Sequence, residues 1–437
     1  MSSVAEQPTL AAAFDSFRPQ ASFNAGGLGS LRSVAFERFV AQGFPTTRNE
    51  EWRHTNISPI ATTEFRLPTT FDLARGTAEP FLFAEDLAHR VVLVNGRWSA
   101  ALSSLDSLPE GVTVKRMHES LSAGTPQTAP DWLVTASAGM PFVNLNTAFV
   151  DDGVVIEIAP KTVIADPIHV VCLNTAASVP TMVTPRVQIR AGEQSQAFIV
   201  ESYGSIPGAA TFTNALTIVS LAPGAMVDHV KLQREASTAY HLAAMFTRVD
   251  RGATFRSHAL TLGGRIARND LSATLAGDGA ECTLDGLYVA DGDSLVDTHT
   301  TIDHAMPHCP SHELYKGILA GKSRAVFNGK IIVRQDAQKT NAKQTNKALL
   351  LSDDATINTK PQLEIFADDV KCTHGAAIGQ LDEDALFYMR ARGISADDAR
   401  NLMIHAFAGE VLDGVKEDVV RDRAMRLLEE KLSLWKV

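Results

Sequence analysis

The sequence has few cysteines, no long apolar run and no excess of basic residues. Its 437 residues include four cysteines without any Cys-x-x-Cys pair, which argues against a disulfide framework or a four-cysteine cluster site. No apolar stretch approaches the roughly 20 residues of a membrane-spanning helix. Lysine and arginine number 40 against 50 aspartates and glutamates, and this net charge of −10 disfavours nucleic acid or an anionic membrane as partner.

The composition that remains is that of a globular protein. Hydrophobic residues make up 45% and charged residues 21%, which is enough for one or more substantial cores. Residues 1–7 have neither the basic start and apolar stretch of a secretory signal nor the arginines of a transit peptide. We therefore expect a protein of the reducing cytoplasm.

Three regions are predicted along the chain. Residues 1–130 combine a helical period at residues 30–40 with short strands and with serine-, proline- and glycine-rich loops, one of them at residues 123–130. Residues 131–380 form a β core of short, β-branched runs. Residues 381–437 return to a helical period.

The β core contains a weak internal repeat. Gly-Ala pairs recur at Gly224, Gly252 and Gly279, at intervals of 28 and 27 residues, between strand-like runs with almost no helical period. A β-sandwich would show similar strands and turns. Stacked coils explain a run of this length without crossover helices better, so we predict a parallel β-helix.

The carboxy-terminal region predicts three helices. Asp382 is placed to cap the first helix, and Ser395 with Asp398 forms a short capping pattern before the second. The third helix has one apolar face that includes Val420 and Leu427. These helices either dock on the core or present a face to a partner.

The densest set of possible metal ligands lies in the segment THTTIDHAMPHCPSH. It contains His299, His304, His308, Cys309 and His312, and imidazole and thiolate suit zinc or iron. The spacing matches no standard zinc finger, and two prolines prevent a helix from placing the ligands one turn apart. Two interpretations stay open: a metal site, or a loop and strand edge whose histidines bond to backbone or cross a subunit interface.

Cys372 and His374, in ADDVKCTHGAAIG, form the second candidate. If this segment is extended, residues two apart share a face, and the thiol and imidazole can share a proton or a metal ion. The alternative is a space-filling cysteine beside a histidine that is only hydrogen-bonded.

Motifs for nucleotide hydrolysis and for a serine nucleophile are missing. GILAGKS at residues 317–323 has three residues between its first glycine and the Gly-Lys pair, where a phosphate-binding loop needs four. We predict a turn between coils there.

The motifs DTHTTIDHAMPHCPSHELYKG, KTNAKQTNKALLLS and VKCTHGAAIG follow one another between residues 297 and 379, and EEWRHTN occupies residues 50–56. Together they resemble the SufB/SufD family of iron–sulfur cluster assembly proteins. The resemblance implies a mainly β protein with a right-handed parallel β-helix core flanked by N-terminal and C-terminal helical regions.

Within the family the chain is more similar to the SufD type. SufB-type chains carry a cysteine where this sequence has Met389, and many have clustered cysteines near their start. The resemblance to the SufD version of KCTHG implies that His374 and Cys372 are candidate transient ligands of iron or a cluster. Glu410 falls where SufB-type chains have a functional glutamate, although the partnering cysteine is missing here.

The resemblance implies a scaffold subunit without catalytic activity of its own. It would pair with a SufB-like paralogue, bind a SufC-like ABC ATPase through its C-terminal helices, and assist iron entry and nascent cluster formation at the partner interface. A homodimer is the alternative assembly. Reduced flavin has been linked to the family, but the sequence contains no flavin motif.

The main rival hypothesis is a β-helix enzyme, either a polysaccharide lyase or a metal-dependent hydrolase that uses the histidines of residues 299–312. Most such lyases are secreted, and residues 1–7 have no secretory signal. The rival predicts turnover by the isolated chain, whereas a scaffold does not.

Overall fold

The computed structural model describes residues 8–19, 21, 28–83, 87–122, 131–175, 177–208 and 210–435. Residues 1–7, from which the cytoplasmic location was predicted, and the predicted loop at 123–130 lie outside the described residues. A 3-10 helix covers Glu50–Trp52. The α-helices are α1 (Pro8–Phe17), α2 (Leu28–Gln42), α3 (Ser58–Thr62), α4 (Arg75–Leu82), α5 (Met117–Ser122), α6 (Asp131–Ala136), α7 (Pro141–Phe149), α8 (Glu383–Arg390), α9 (Ala396–Leu412) and α10 (Asp418–Ser433).

The strands occupy most of the chain between α4 and α8. They are β1 (His89–Val94), β2 (Arg97–Trp98), β3 (Val112–Arg116), β4 (Val154–Ile158), β5 (Ile168–Asn174), β6 (Thr181–Val183), β7 (Arg186–Ala191), β8 (Gln196–Ser205), β9 (Thr211–Leu221), β10 (Met226–Arg234), β11 (Tyr240–Val249), β12 (Thr254–Thr261), β13 (Ile266–Leu275), β14 (Glu281–Ala290), β15 (Leu295–His304), β16 (Pro310–Leu319), β17 (Arg324–Val333), β18 (Asn341–Leu350), β19 (Thr356–Ile365) and β20 (Lys371–Gly379).

These strands form a parallel solenoid of about eight turns. Sheet I has the order β2-β1-β5-β8-β10-β12-β14-β16-β18-β20, and sheet II has the order β19-β17-β15-β13-β11-β9-β7-β4-β3, with β6 beside β9. The pairs β1–β2 and β3–β4 are antiparallel, and the pairs that follow are parallel. The prediction of a mainly β chain with a parallel β-helix core and helical ends is confirmed.

The Gly-Ala repeat marks the corners of the coils. Gly224, Gly252 and Gly279 have φ values of 69°, 62° and 68°, a conformation that glycine adopts without steric cost. Each of these glycines donates its N–H to a carbonyl of the next coil, at 2.9, 3.0 and 3.1 Å. The alanine that follows each glycine is fully buried in the core between the sheets. The glycine hydrogen bonds and the buried alanines therefore join each coil of the solenoid to the next.

Helices cover the outer faces of both sheets, and α4 packs on the outer face of sheet I at β1 and β5. The core between the sheets is built from inward-facing residues of both, such as Ile199, Phe255 and Phe327. The outer face of sheet I packs against α9 and α10. The outer face of sheet II packs against α1, α2, α7 and the segment around Trp52.

The predicted carboxy-terminal helices are present with their caps. The Asp382 side chain accepts hydrogen bonds from the backbone N–H groups of Asp384 and Ala385, and Ser395 accepts one from Asp398. Val420, Ala424, Leu427 and Leu428 of α10 are buried, as the apolar stripe predicts. Among the described helices, none combines the length and the apolar character that crossing a bilayer requires.

Candidate functional site

Cys372 and His374 lie on β20, the last strand of sheet I. The segment is extended as predicted, so both side chains lie on the same face of the strand. Cys372 aligns with Ala342 of β18 and packs against a buried cluster that includes Ala342 and Ile331, which places this face toward the interior between the sheets, called the lumen below. The thiol is half-buried, and burial raises its pKa above the ordinary value, although a backbone contact with Ala342 opposes the shift. His374 is exposed.

The solenoid ends at β19 and β20. In the part of the chain that the structure describes, no further strand pairs with the free edges of β19 and β20. We call these two strands and the turn between them the open end. Its surface carries exposed Ile365, Phe366 and Ile378.

A polar pair lies directly beneath His374. The strand register aligns His374 with Gln344 of β18, and Gln344 with Glu313 of β16. Gln344 Nε2 donates to Glu313 Oε2 at 2.6 Å, and the two residues are 1% and 0% exposed. Burial raises the pKa of Glu313 to about 7 against the opposing contacts of Gln344 and Thr300. This carboxyl is therefore partly protonated at neutral pH.

A buried charged network occupies the lumen further from the open end. His229 bridges Glu201 and Ser257, with both distances at 2.9 Å. Lys231 Nζ lies 2.9 Å from His241 Nε2, and burial lowers the pKa of Lys231 to about 8 against the nearby carboxylates. Sequence reasoning missed this network. The sequence pattern that could have indicated the network is a set of charged residues at inward-facing positions of otherwise apolar strands.

The segment of residues 50–56 is held on the outer face of sheet II by charge. Arg268 donates to Asp297 at 2.6 Å and to the backbone oxygen of Glu51 at 2.7 Å, and its guanidinium lies 3.9 Å from the Trp52 ring centroid. The Thr55 hydroxyl also donates to Asp297, at 2.6 Å. These contacts join the EEWRHTN motif to β13 and β15.

His299 completes this cluster. Its Nε2 lies 3.0 Å from Asp297 and its Nδ1 lies 3.2 Å from Glu51. Burial alone would lower the pKa of His299. The contacts with the Asp297 and Glu51 carboxylates have the larger combined effect and raise this pKa to about 9. His299 is therefore a cation at neutral pH.

The other members of the histidine-rich segment point to separate places. His304 is buried and lies 3.0 Å from the Ser311 hydroxyl, and burial lowers its pKa to about 4. His308 occupies a turn with φ 59°, and Cys309 is buried with its Sγ 3.4 Å from the Gly277 carbonyl. His312 lies 3.5 Å from Asp285 on the outer face of sheet I.

Neither the histidine-rich segment nor the Cys372–His374 segment forms a complete metal-binding site by itself. Among the residues that the structure describes, no three His, Cys, Asp or Glu side chains are grouped to hold a metal ion. The prolines and the strand register separate the ligands that are dense in sequence. Cys372 and His374 share one face of a strand and provide two possible ligand atoms.

Glu410 lies on the outer face of sheet I, away from Cys372 and His374. It forms ion pairs with Lys316 and with Lys347, the latter at 3.2 Å, and these contacts lower the pKa of Glu410. Lys316 also donates to the Phe407 carbonyl at 2.6 Å. Glu410 therefore anchors α9 to β16 and β18.

The outer part of α8 and α9 carries exposed apolar side chains. Phe387 is 72% exposed, and Tyr388 and Leu402 are also largely exposed. No residue of α8 is buried, and Met389 is half-buried. This face is apolar enough to dock a partner.

Comparison with known proteins agrees with this architecture. Residues 21–170 match the SufBD protein N-terminal region, and residues 172–407 match the SufBD core domain of the SUF system of FeS cluster assembly. An iron–sulfur cluster assembly SufBD family protein of Synechocystis is 35% identical over 89% of this chain and 85% of its own length. Escherichia coli SufD is 29% identical over 92% and 94%, and the chloroplastic protein ABCI7 of Arabidopsis thaliana is 28% identical over 91% and 84%. The chain therefore belongs to the SufBD family of iron–sulfur cluster assembly proteins.

Proposed function

We propose that this chain is the SufD-type scaffold subunit of a cytoplasmic complex that builds iron–sulfur clusters. Membership of the SufBD family supports a role in iron–sulfur cluster assembly. The single observation that carries the finer proposal is the open end, where a free strand edge, an apolar surface and the Cys372–His374 pair occur together.

The open end suits a second solenoid as partner. Exposed parallel edges present unpaired N–H and C=O groups that pair with another chain. A SufB-like paralogue with the same strand spacing would continue both sheets, and Ile365, Phe366 and Ile378 would be covered by the contact. A homodimer would use the same surface.

Cys372 and His374 would lie inside this interface. They supply two ligand atoms from one face of β20, and the partner would supply the remaining ligands to an iron ion or nascent cluster, which is the cargo of the complex. Imidazole and thiolate both suit iron. His374 is exposed, whereas the Cys372 thiol is half-buried and its pKa is raised. His374 is therefore the more available ligand of the two.

The carboxy-terminal helices would dock a SufC-like ATPase. Phe387, Tyr388 and Leu402 form an exposed apolar face on α8 and α9. Because Glu410 and Lys316 attach α9 to sheet I, a pull on these helices is transmitted to the strands that end at the open end. The nucleotide chemistry then belongs to the partner.

Anaerobic co-expression with the SufB-like and SufC-like partners tests this proposal. We expect the complex to purify with cluster absorbance, and we expect His374→Ala to lower cluster content roughly tenfold or more while the complex stays assembled. His308→Asn, at an exposed turn histidine whose left-handed backbone asparagine tolerates, is the control. Normal cluster content in His374→Ala would contradict the ligand role, and turnover of a polysaccharide by the isolated chain would support the rival enzyme hypothesis.

A further inference from the structure

The candidate ligand His374 stands at the top of a short polar column on the inner face of sheet I. Gln344 and then Glu313 follow it in the strand register. Adjacent strands are about 4.8 Å apart, so each residue lies directly over the next. The following residue is Leu284, which is buried and apolar. The polar column is therefore confined to the last three coils.

The Gln344 side chain has a defined orientation. Its Nε2 donates to Glu313 Oε2 at 2.6 Å. Gly329 of sheet II lies opposite, and a Cβ atom at this glycine would overlap the Gln344 amide. Glu313 and Gly329 together hold the amide across the lumen.

The other atom of this amide lacks a partner. Gln344 Oε1 is buried, and among the described residues it accepts no hydrogen bond. A buried acceptor that is left unpaired is unfavourable, because it has lost its hydrogen bonds to water without replacement. In the strand register, the side chain directly above is the His374 imidazole, whose ring N–H is a suitable donor.

We propose that Gln344 is a positioning residue for His374. Its Oε1 accepts the ring N–H of His374, which selects one tautomer and turns the other ring nitrogen toward the ion at the open end. Glu313 acts one step further down by holding the Gln344 amide. A ligating histidine typically donates its second N–H in this manner, and the loss of the acceptor weakens metal affinity. The inference rests on the proposed ligand role of His374.

The tautomer of His374 in the full-length apo chain tests the positioning directly. Imidazole-labelled protein is compared by long-range nitrogen–proton NMR, and the His374→Asn variant identifies the signal among the 13 histidines. We expect one dominant tautomer in the unmodified chain. In Gln344→Met, which keeps the length but removes the acceptor, we expect the mixture of tautomers found for a solvent-exposed histidine side chain in water.

Two further comparisons separate positioning from a general effect on the fold. Glu313→Gln keeps an acceptor for the Gln344 amide and should retain the dominant tautomer, whereas Glu313→Met should lose it. Gln362→Met makes the same change as the test variant on β19, outside the column, and should have no effect. If Gln344→Met does not fold, the Glu313 pair decides the question. An unchanged tautomer in Gln344→Met, or equal spectra for the two Glu313 variants, would overturn the inference.

Cobalt(II) titration of the same variants in complex with the SufB-like partner, which would supply the remaining ligands, adds a binding measurement. We expect Gln344→Met to weaken cobalt binding about tenfold and Glu313→Gln to leave it unchanged. If His374→Ala binds cobalt as well as the unmodified chain, the proposed ligand role fails even where the tautomer result stands. If His374→Ala loses cobalt but Gln344→Met does not, the ligand role stands and the positioning role fails.

Discussion

His299 shows how one side chain holds a distant segment of sequence on the solenoid. The imidazolium lies between Asp297 and Glu51, which are separated by more than two hundred residues along the chain. Its pKa is raised from 6.5 to about 9. A group with a raised pKa stabilises the folded state fully below its unfolded pKa and loses that contribution as the pH rises through its folded pKa. The attachment of residues 50–56 therefore weakens between about pH 6.5 and pH 9.

Hydrogen exchange of the peptide that covers residues 50–56 measures this effect. After correction for intrinsic exchange rates, we expect its protection to fall between pH 6.5 and 9.5 by up to about 3 kcal/mol, the energy of the 6.5-to-9 shift. His299→Gln should remove most of this pH dependence. His304→Gln is the matched control, because burial keeps His304 neutral throughout this range. Equal slopes for His299→Gln and the unmodified chain would show that another group controls the attachment.

Single residues of the candidate site were predictable only where the local pattern decides their direction. Strand alternation places Cys372 and His374 on one face, as expected from VKCTH. The contact between Glu313 and Gln344 spans 31 residues, which is the length of one coil at that level. The sequence repeat was too degenerate to define that length, so this contact was not predicted.

At the scale of elements, α8 and α9 combine an anchored side with an apolar side. Ile404, Ala408 and Val411 of α9 are buried against the solenoid, while Phe387 and Leu402 face outward. A helix pair that exposes large apolar side chains is a typical surface for a second protein. Its two faces can therefore be changed separately.

Negative charge on the exposed apolar face of α8 and α9 should prevent binding of the SufC-like ATPase without affecting the solenoid. We expect Phe387→Asp combined with Leu402→Asp to abolish co-purification of the SufC-like partner, since two apolar anchors would be replaced by solvated carboxylates. Pairing with the SufB-like partner and the melting temperature should stay unchanged. Val163→Asp, at an exposed apolar residue of the loop between β4 and β5, is the control. Retention of the ATPase by the double variant would place its docking site elsewhere.

The regular elements were predicted best where the sequence repeats a local rule. The Gly-Ala corners and the caps at Asp382 and Ser395 follow from backbone preferences of single residues, and the structure confirms them. The order of the strands is not a local property. It depends on how each coil stacks on the previous one, and only the long absence of helical period indicated it.

At the scale of the whole molecule, the two ends of the solenoid differ. One end finishes in the short antiparallel strands β2 and β3, of two and five residues. The other end finishes in β19 and β20, parallel strands of ten and nine residues with free edges. Short edge strands resist pairing with other chains, whereas long regular ones promote it. Association is therefore expected at the open end.

Self-association of the isolated chain tests this asymmetry. Phe366 is 63% exposed in the turn between β19 and β20, and together with Ile365 and Ile378 it forms the apolar part of the open end. We expect the purified chain to form a dimer at micromolar concentration and Phe366→Asp to raise the dissociation constant roughly tenfold or more, because burying the new carboxylate is unfavourable. Sedimentation equilibrium over a concentration series measures this constant. Met306→Asp, at an exposed methionine in another turn of the solenoid, should leave it unchanged. A dimer that is weakened by Met306→Asp but not by Phe366→Asp would mean that the chain associates through the side of the solenoid, and the open end would then lose its role as the pairing surface.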